Sequence, residues 1–279
     1  MRLCMGIMRV RAFSAWVIEH IMHVEAALQA GQELPMTGSS FSSSISRSAT
    51  TTAARPIRRV VTGDARFWNR KARAYAASKI ADLPGYEQTL ARTINYLGPQ
   101  QDVLEVGCGT GSSALRLAPF CRSYRATDVA SEMIAIANGK LARAPDARLQ
   151  FAVDDAAICD SESANRYDRV LAFNVLHLVE DLEATVEACA SALRPGGLLI
   201  SKTPCLREMN WLLPNVAVPL AQLVGMAPTV HNLSENDLLD SMRHQGLIVV
   251  SVERHGTRGQ DVRPFIVARK PAAPEAMFV

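Results

Sequence analysis

The sequence of 279 residues has no uninterrupted apolar run of the roughly 18 residues that a membrane-spanning helix needs. It also has no C-x-x-C pair, and none of its six cysteines lies beside a histidine at the spacing of metal ligands. We therefore predict no transmembrane segment, no disulfide framework and no metal site. Reduced thiols in a chain of this length predict a cytoplasmic protein.

Lysine is absent from residues 1–60, which hold seven arginines and only three glutamates. The whole chain carries a net charge of +3, so the rest of the sequence is close to neutral. An extended nucleic-acid surface needs clustered lysine and arginine. The sequence therefore predicts no nucleic-acid partner.

Residues 1–60 are predicted to be a flexible N-terminal extension or a targeting segment. Apolar residues at helical spacing over 7–28 favour an amphipathic helix, and seven serines follow within residues 39–48. Such arginine-rich and serine-rich sequence is typical of organellar transit peptides, so a mitochondrial location is the alternative to a cytoplasmic one. A disordered extension, or a true start at Met36, explains the same composition. Glu19 and His20 interrupt the apolar region and argue against a secretory signal.

Residues 61–279 are predicted to form one α/β domain. Helices are expected over 65–81, ended by Pro84 and Gly85, and over 86–97, 112–118, 131–142 and 182–193. Ser234 with Asp237 three residues later predicts the start of a further helix. Strands are expected over 103–106, 124–127, 149–153, 169–173, 198–202, 247–253 and 265–269. This alternation predicts a Rossmann-like, mostly parallel sheet of seven strands with helices on both faces. The last two strands have no helix between them and should form an antiparallel hairpin.

The most informative motif follows the first predicted strand. Gly107, Gly109 and Gly111 stand at alternate positions before a helix, which allows a tight turn and a close approach of the backbone to a ligand. Glu105 lies two residues before the first glycine and can attract an ammonium group. Asp128 closes the second strand about 20 residues later, where a carboxylate can accept hydrogen bonds from both ribose hydroxyls.

This G-x-G-x-G pattern with Glu105 and Asp128 resembles the class I S-adenosylmethionine-dependent methyltransferases. The similarity covers roughly residues 64–270 and is greatest to the type 11 small-molecule branch, which includes the ubiquinone and menaquinone C-methyltransferases. A dinucleotide-binding turn would place glycine or alanine where this chain has Ser112. The resemblance implies S-adenosylmethionine as the cofactor.

The resemblance also implies roles for individual residues. The glycine loop would hold the methionine part, Asp128 and its neighbour Val129 the ribose, and an acid after the third strand the adenine amine. Asp155 matches that acid, although Asp154 is an alternative. Phe67, Trp68 and Tyr75 resemble a lid helix, although simple packing against the domain explains these aromatics equally well. The predicted cofactor-binding residues are Glu105, Gly107, Cys108, Gly109, Thr110, Gly111, Asp128, Val129, Asp155, Ala156, Asn174 and Tyr75.

After the fourth strand the chain reads Asn174-Val175-Leu176-His177. DNA and glutamine amino-methyltransferases carry Asn/Asp-Pro-Pro-aromatic there, so methyl transfer to those amino groups is not expected. A phenol or enol acceptor needs a base, and His177 is the candidate by its position. A structural histidine is the competing interpretation.

Residues 205–233 are predicted to be a cap insertion over an apolar acceptor site. A packed surface helix, an oligomer contact or peripheral contact with a membrane are the other interpretations of its apolar stretch over 211–228. The predicted function is methyl transfer to a small, apolar acceptor. The alternatives are a nicotinamide-dependent oxidoreductase and a non-catalytic partner protein that binds the cofactor.

Overall fold

A computed structural model describes residues 63–156, 164–208, 228, 230–257 and 261–272. The predictions for residues 1–60 and for the apolar stretch 211–228 therefore fall almost entirely outside the described residues. Within the described ranges, none of the helices is long and apolar enough to cross a membrane. These ranges also contain no cluster of His, Cys, Asp and Glu suited to a metal ion.

Seven strands form one sheet in the order β3-β2-β1-β4-β5-β7-β6. The strands are β1 (Asp102–Val106), β2 (Ser123–Asp128), β3 (Leu149–Val153), β4 (Tyr167–Phe173), β5 (Leu193–Lys202), β6 (Ile248–Glu253) and β7 (Phe265–Arg269). The first five are parallel, whereas β7 runs antiparallel between β5 and β6. The predicted mostly parallel sheet with an antiparallel C-terminal pair is confirmed. The strand order reverses between β1 and β4, and such a crevice at the carboxyl ends of the strands is where α/β folds bind ligands.

Within the described residues, six α-helices surround this sheet. They are α1 (Gly63–Ala77), α2 (Leu83–Ile94), α3 (Ser112–Leu117), α4 (Ser131–Arg143), α5 (Leu182–Ala192) and α6 (Glu235–His244). The start of α6 is a capping box, as the sequence predicts: Ser234 Oγ accepts from Asp237 N, and Asp237 Oδ2 accepts from Ser234 N. The caps and strand ends thus fix where each loop leaves the sheet.

The first two helices differ from their predicted bounds. Pro84 and Gly85 were expected to end a helix, but they lie in the first turn of α2, where proline loses no hydrogen bond. Asp82 caps this turn by accepting from Gly85 N at 3.1 Å. The strand predicted over 198–202 begins earlier, because residues 194–197 belong to the first part of β5, where the pairing with β4 shifts its register.

Both faces of the sheet are buried. Adjacent residues on the central strands point to opposite sides, so Val170, Leu199 and Ile266 pack in one apolar cluster while their neighbours pack in another. The first cluster lies against α5 and α6, and the second contains residues of α2, α3 and α4. Helices on both faces are therefore confirmed.

The helix α1 packs against α4 at the end of β2. Ala72 and Met133 are buried in this contact. Asn69 Oδ1 accepts from Glu132 N at 2.9 Å, so a side chain of α1 caps α4, which has no cap of its own. The contact fixes α1 beside the loops that follow β1 and β2.

Candidate functional site

The turn after β1 depends on three glycines with positive φ angles of 66°, 53° and 73° at Gly107, Gly109 and Gly111. A Cβ on Gly107 would lie 2.3 Å from Val175 Cγ2, and a Cβ on Gly111 would lie 2.5 Å from Phe151 Cζ. Gly109 has more room, since the nearest atom to its Cβ would be a ring carbon of Tyr75 at 3.6 Å. Two glycines therefore permit packing, and Gly109 lies on the cavity wall described below.

Asp128 joins this turn to the end of β2. Its Oδ2 accepts from Gly109 N and its Oδ1 accepts from Ala130 N, both at 2.9 Å. Burial raises the pKa of this carboxyl group, and the two backbone donors partly oppose that rise. Each oxygen has a second lone pair, so the carboxylate can also accept from ligand hydroxyls.

Glu105 lies beneath the turn and is 2% exposed. Its Oε2 accepts from the Tyr124 hydroxyl at 2.8 Å. Burial raises the pKa of Glu105 to about 7, the Tyr124 hydrogen bond opposes this rise, and the charge of Asp128 adds to it. A cation placed here would favour the ionised form of the carboxyl group.

Tyr75 of α1 covers the glycine turn. Burial, together with the nearby Asp128 carboxylate, raises its pKa to about 12, so the phenol is neutral. Its ring meets the ring of Trp68 edge to face, with centroids 6.3 Å apart. The aromatic residues of α1 thus both pack on the domain and line the site, so the two interpretations of this helix are compatible.

The loop after β3 closes another side of the site. Asp154 N donates to Asp128 O at 3.1 Å, which ties this loop to the end of β2. The Asp154 carboxylate pairs with Arg125 at 3.2 Å, whereas Asp155 is half-buried. Asp154 and Asp155 both line the cavity described below, so either acid can face a ligand there.

His177 is 3% exposed, and within the described part of the chain its Nδ1 has no hydrogen-bond partner. Burial, with a smaller contribution from His231, lowers its pKa to about 3. The imidazole is therefore neutral at physiological pH, and a hydrogen bond from a ligand would satisfy the buried nitrogen. Such a low pKa suits accepting a hydrogen bond better than storing a proton.

A cavity of about 670 Å³ connects these groups. That volume lies within the range of about 300–1,000 Å³ typical of small-molecule sites. Of the predicted site residues, Gly111 is the exception and does not line the cavity; those that do are Tyr75, Glu105, Gly107, Cys108, Gly109, Thr110, Asp128, Val129, Asp155, Ala156, Asn174 and His177. The sequence interpretation missed Asp82, Thr89, Lys202 and Arg263 on the same wall. Lys202 could have been predicted as a site residue, because it is a lysine at the end of a largely apolar strand.

Residues 104–199 match the family model of a methyltransferase domain. Over 157 residues the chain is 32% identical to the highly reducing polyketide synthase ACRTS2 of Alternaria alternata. That match covers 52% of this chain and 6% of the synthase. The chain thus corresponds to only a small part of that relative.

Two solved structures share the fold. The CurJ carbon methyltransferase has a TM-score of 0.55 and 19% identity, covering 72% of this chain and 57% of that one. Haemonchus contortus phosphoethanolamine N-methyltransferase 2, in complex with S-adenosyl-L-methionine, has a TM-score of 0.56 and 17% identity, covering 73% and 57%. At these identities the similarity concerns the fold.

The matched domain contains most of the residues that line the cavity, from Glu105 on β1 to Thr185 on α5. Residues 104–199 match a methyltransferase domain, and this match supports an enzyme whose cofactor is S-adenosylmethionine. The site fits this group: Gly109 leaves the backbone accessible, Glu105 suits an ammonium group, and Asp128 retains acceptor capacity for hydroxyls.

Alanine substitutions at three glycines should separate packing from backbone strain. Gly109→Ala should cost about 1–2 kcal/mol of stability, since an L-residue is strained at positive φ. Gly107→Ala should cost about 1–3 kcal/mol more, because its Cβ also overlaps Val175. Gly139 lies in the middle of α4 with open space around it, so Gly139→Ala should increase the free energy of unfolding by about 0.5–1 kcal/mol. Urea unfolding measures all three, and equal losses at Gly107 and Gly109 would contradict the packing argument.

His177 should make stability depend on pH. Its pKa is lower in the folded protein than in the unfolded chain, so the unfolded chain gains a proton first as the pH falls. Between pH 7 and pH 5 this should remove about 2 kcal/mol from the free energy of unfolding. His177→Leu should abolish that part of the loss, whereas His244→Leu, at an exposed position on α6, should keep it. If the unfolding curves of wild type and His177→Leu have the same pH dependence, His177 is not the group that causes the loss of stability.

Proposed function

We propose that the protein transfers a methyl group from S-adenosylmethionine to a small, largely apolar acceptor held in the same cavity. One observation carries this proposal: a continuous cavity extends from the glycine turn and Asp128 to His177 and an apolar wall. That wall includes Ile80, Leu90, Phe173, Leu178 and Val179. An apolar wall with few polar groups is typical of small-molecule sites.

The cofactor-binding roles in this proposal are those that the family resemblance implies, and the residues concerned line the cavity. In this proposal the glycine turn and Glu105 hold the methionine part, and Asp128 with Val129 holds the ribose. Asp155 and Ala156 hold the adenine, while Tyr75 and Asn174 lie beside the reacting methyl group. Cys108 and Thr110 contribute the backbone of the turn, which Lys140 supports by donating to Thr110 O at 2.9 Å.

Bound S-adenosylmethionine supplies an electrophilic methyl group and a leaving group that is neutral after transfer. The protein then has to align the acceptor with that methyl group and exclude water. His177 is the proposed catalytic residue. Its neutral, buried imidazole would accept a hydrogen bond from the acceptor and orient the nucleophile.

The motif favours one kind of acceptor atom. It resembles that of the ubiquinone-type C-methyltransferases, and residues 104–199 match a methyltransferase domain. We therefore favour methyl transfer to carbon. A nicotinamide oxidoreductase has no comparable support.

The domain limits stay predictions. The described ends of the predicted insertion 205–233 meet beside the site, since Arg207 N donates to Leu233 O at 3.0 Å and His231 N donates to His177 O at 2.8 Å. This contact supports treating 205–233 as an insertion into a domain that covers 61–279.

Asp128→Ala should weaken S-adenosylmethionine binding about tenfold to hundredfold, the value of charge-assisted hydrogen bonds to two hydroxyls. Asp128→Asn should be intermediate, because one acceptor oxygen remains. Both variants should also lose stability, since Asp128→Ala leaves Gly109 N and Ala130 N without an acceptor and Asp128→Asn leaves one of the two without one. Asp146→Ala, whose ion pair with Arg148 lies away from the cavity, is the matched control. Calorimetric titration with S-adenosylmethionine, below the melting temperature of each variant, measures these affinities. An unchanged affinity in Asp128→Ala would mean that another group binds the ribose.

Methyl transfer itself can be tested with an extract of small molecules and S-adenosylmethionine labelled in its methyl group. We expect the full chain to add label to a small acceptor, with a mass gain of about 14 daltons for the unlabelled methyl. Mass spectrometry detects the product, and Asp128→Ala should form it more slowly at a limiting cofactor concentration. Tight cofactor binding without any labelled product would contradict the proposed function.

A further inference from the structure

A buried cation lies on the cavity wall at the end of β5. Lys202 is 6% exposed, and its Nζ donates to Thr89 Oγ1 at 2.9 Å. Asp261 Oδ2 lies 3.9 Å from the same nitrogen, at the distance of an ion pair rather than a hydrogen bond. Lys202 and Thr89 both line the cavity, whereas Asp261 does not.

The Asp261 carboxylate is directed mainly at the link between β6 and β7. Its Oδ2 accepts from His255 N and Gly256 N, and its Oδ1 accepts from the backbone and side chain of Arg263. Asp261 therefore holds the link in place by hydrogen bonds. It also lies close enough to Lys202 to offset its charge, on the side away from the cavity.

Asp82, an acid on the same wall, has a similar structural role. Its oxygens accept from Gly85 N and from the amide and hydroxyl of Thr257. Arg263 also lies on this wall, 3.8 Å from Asp82 Oδ2. The cations Lys202 and Arg263 are thus held at the cavity by acids that already bind backbone donors.

The ammonium group has a fixed position. The Thr89 hydroxyl donates to Gly85 O at 2.8 Å, which leaves its oxygen to accept from Lys202. Both Thr89 and Lys202 are buried, so solvent screens the ammonium charge weakly. A fixed, poorly screened cation binds an anionic oxygen more strongly than a mobile surface lysine does.

Lys202 is also next to the segment that carries His177. Asn174 N donates to Lys202 O at 2.8 Å, and Phe173 and Lys202 are paired at the ends of β4 and β5. Both strands end at the same edge of the sheet as β1 and its glycine turn. The cation is therefore at the edge where the acceptor would meet the methyl group.

We propose that Lys202, held by Thr89, binds an ionised oxygen of the acceptor, which is a phenolate or an enolate with an apolar body. This inference rests on the proposed function and adds the substrate class. Binding the oxyanion favours ionisation of the acceptor O–H, whose proton leaves to solvent, and the negative charge is shared with the adjacent nucleophilic carbon. Lys202 is accordingly a specificity-determining residue.

The test uses 4-nitrophenol, which ionises near neutral pH and absorbs visible light in its ionised form. It is titrated into the full chain with S-adenosylhomocysteine present, so that no methyl transfer occurs. We expect the bound phenol to ionise at a lower pH than the free phenol. Lys202→Met should abolish this shift and weaken phenolate binding about tenfold, as loss of one charge-assisted hydrogen bond predicts. Nitrobenzene, which has no ionisable oxygen, should bind wild type and Lys202→Met equally.

Three further variants separate recognition from folding. Thr89→Val keeps the ammonium but removes its support, and should give a smaller loss of phenolate affinity. Lys202→Met with Asp261→Asn removes both charges and should show the same loss of phenolate binding if the single variant unfolds. Lys71→Met, at a lysine of α1 that does not line the cavity, should behave as wild type. Thermal melting verifies that each variant is folded.

The proposal is overturned if folded Lys202 variants bind phenolate as Lys71→Met does, or if the wild type binds no phenolate. Calorimetry with S-adenosylmethionine on the same samples tests the proposed function separately. Cofactor binding without phenolate binding would contradict the proposed acceptor class and leave the proposed methyl transfer intact. Phenolate binding without cofactor binding would instead remove the proposed methyl transfer.

Discussion

The site depends on the contact between the turn after β1 and the segment after β4. Gly107 lies so close to Val175 that a Cβ would overlap its side chain, and this contact brings the two carboxyl-terminal strand ends together at the point where the strand order reverses. Asp128 adds the end of β2 through its bond to Gly109 N. Three separate loops thereby share one set of contacts, so the geometry of the cavity follows from backbone packing before any ligand binds.

Charge is distributed unevenly around the cavity. Glu105 and Asp128 lie at the end with the glycine turn, whereas Lys202 and Arg263, with Asp82 beside them, lie on the wall formed by β5 and the link after β6. A positively charged cofactor and an anionic acceptor would each meet groups of opposite charge. The same arrangement disfavours binding of either molecule in the other's place, because like charges would then meet. Charge alone thus selects which end of the cavity each molecule occupies.

Local sequence predicted the elements well where one residue type has one structural meaning. Three glycines after an apolar strand predicted the turn, and Ser234 with Asp237 predicted the start of α6. Proline was ambiguous, because Pro84 is compatible with the end of one helix and the first turn of the next. Gly111 was assigned to the cofactor, but its close contact with Phe151 depends on where β3 and α4 pack. The wall formed by Thr89 and Lys202 joins residues 113 positions apart, and no local pattern encodes that distance.

The sequence separation of these contacts has a consequence for synthesis on the ribosome. The glycine turn, Asp128 and Val175 all precede residue 180, so the residues assigned to the cofactor are synthesised first. Asp82 instead bonds to Thr257, 175 residues later. Because chains are made from the N-terminus, the wall that contains Asp82 is the last part of the cavity whose contacts become available.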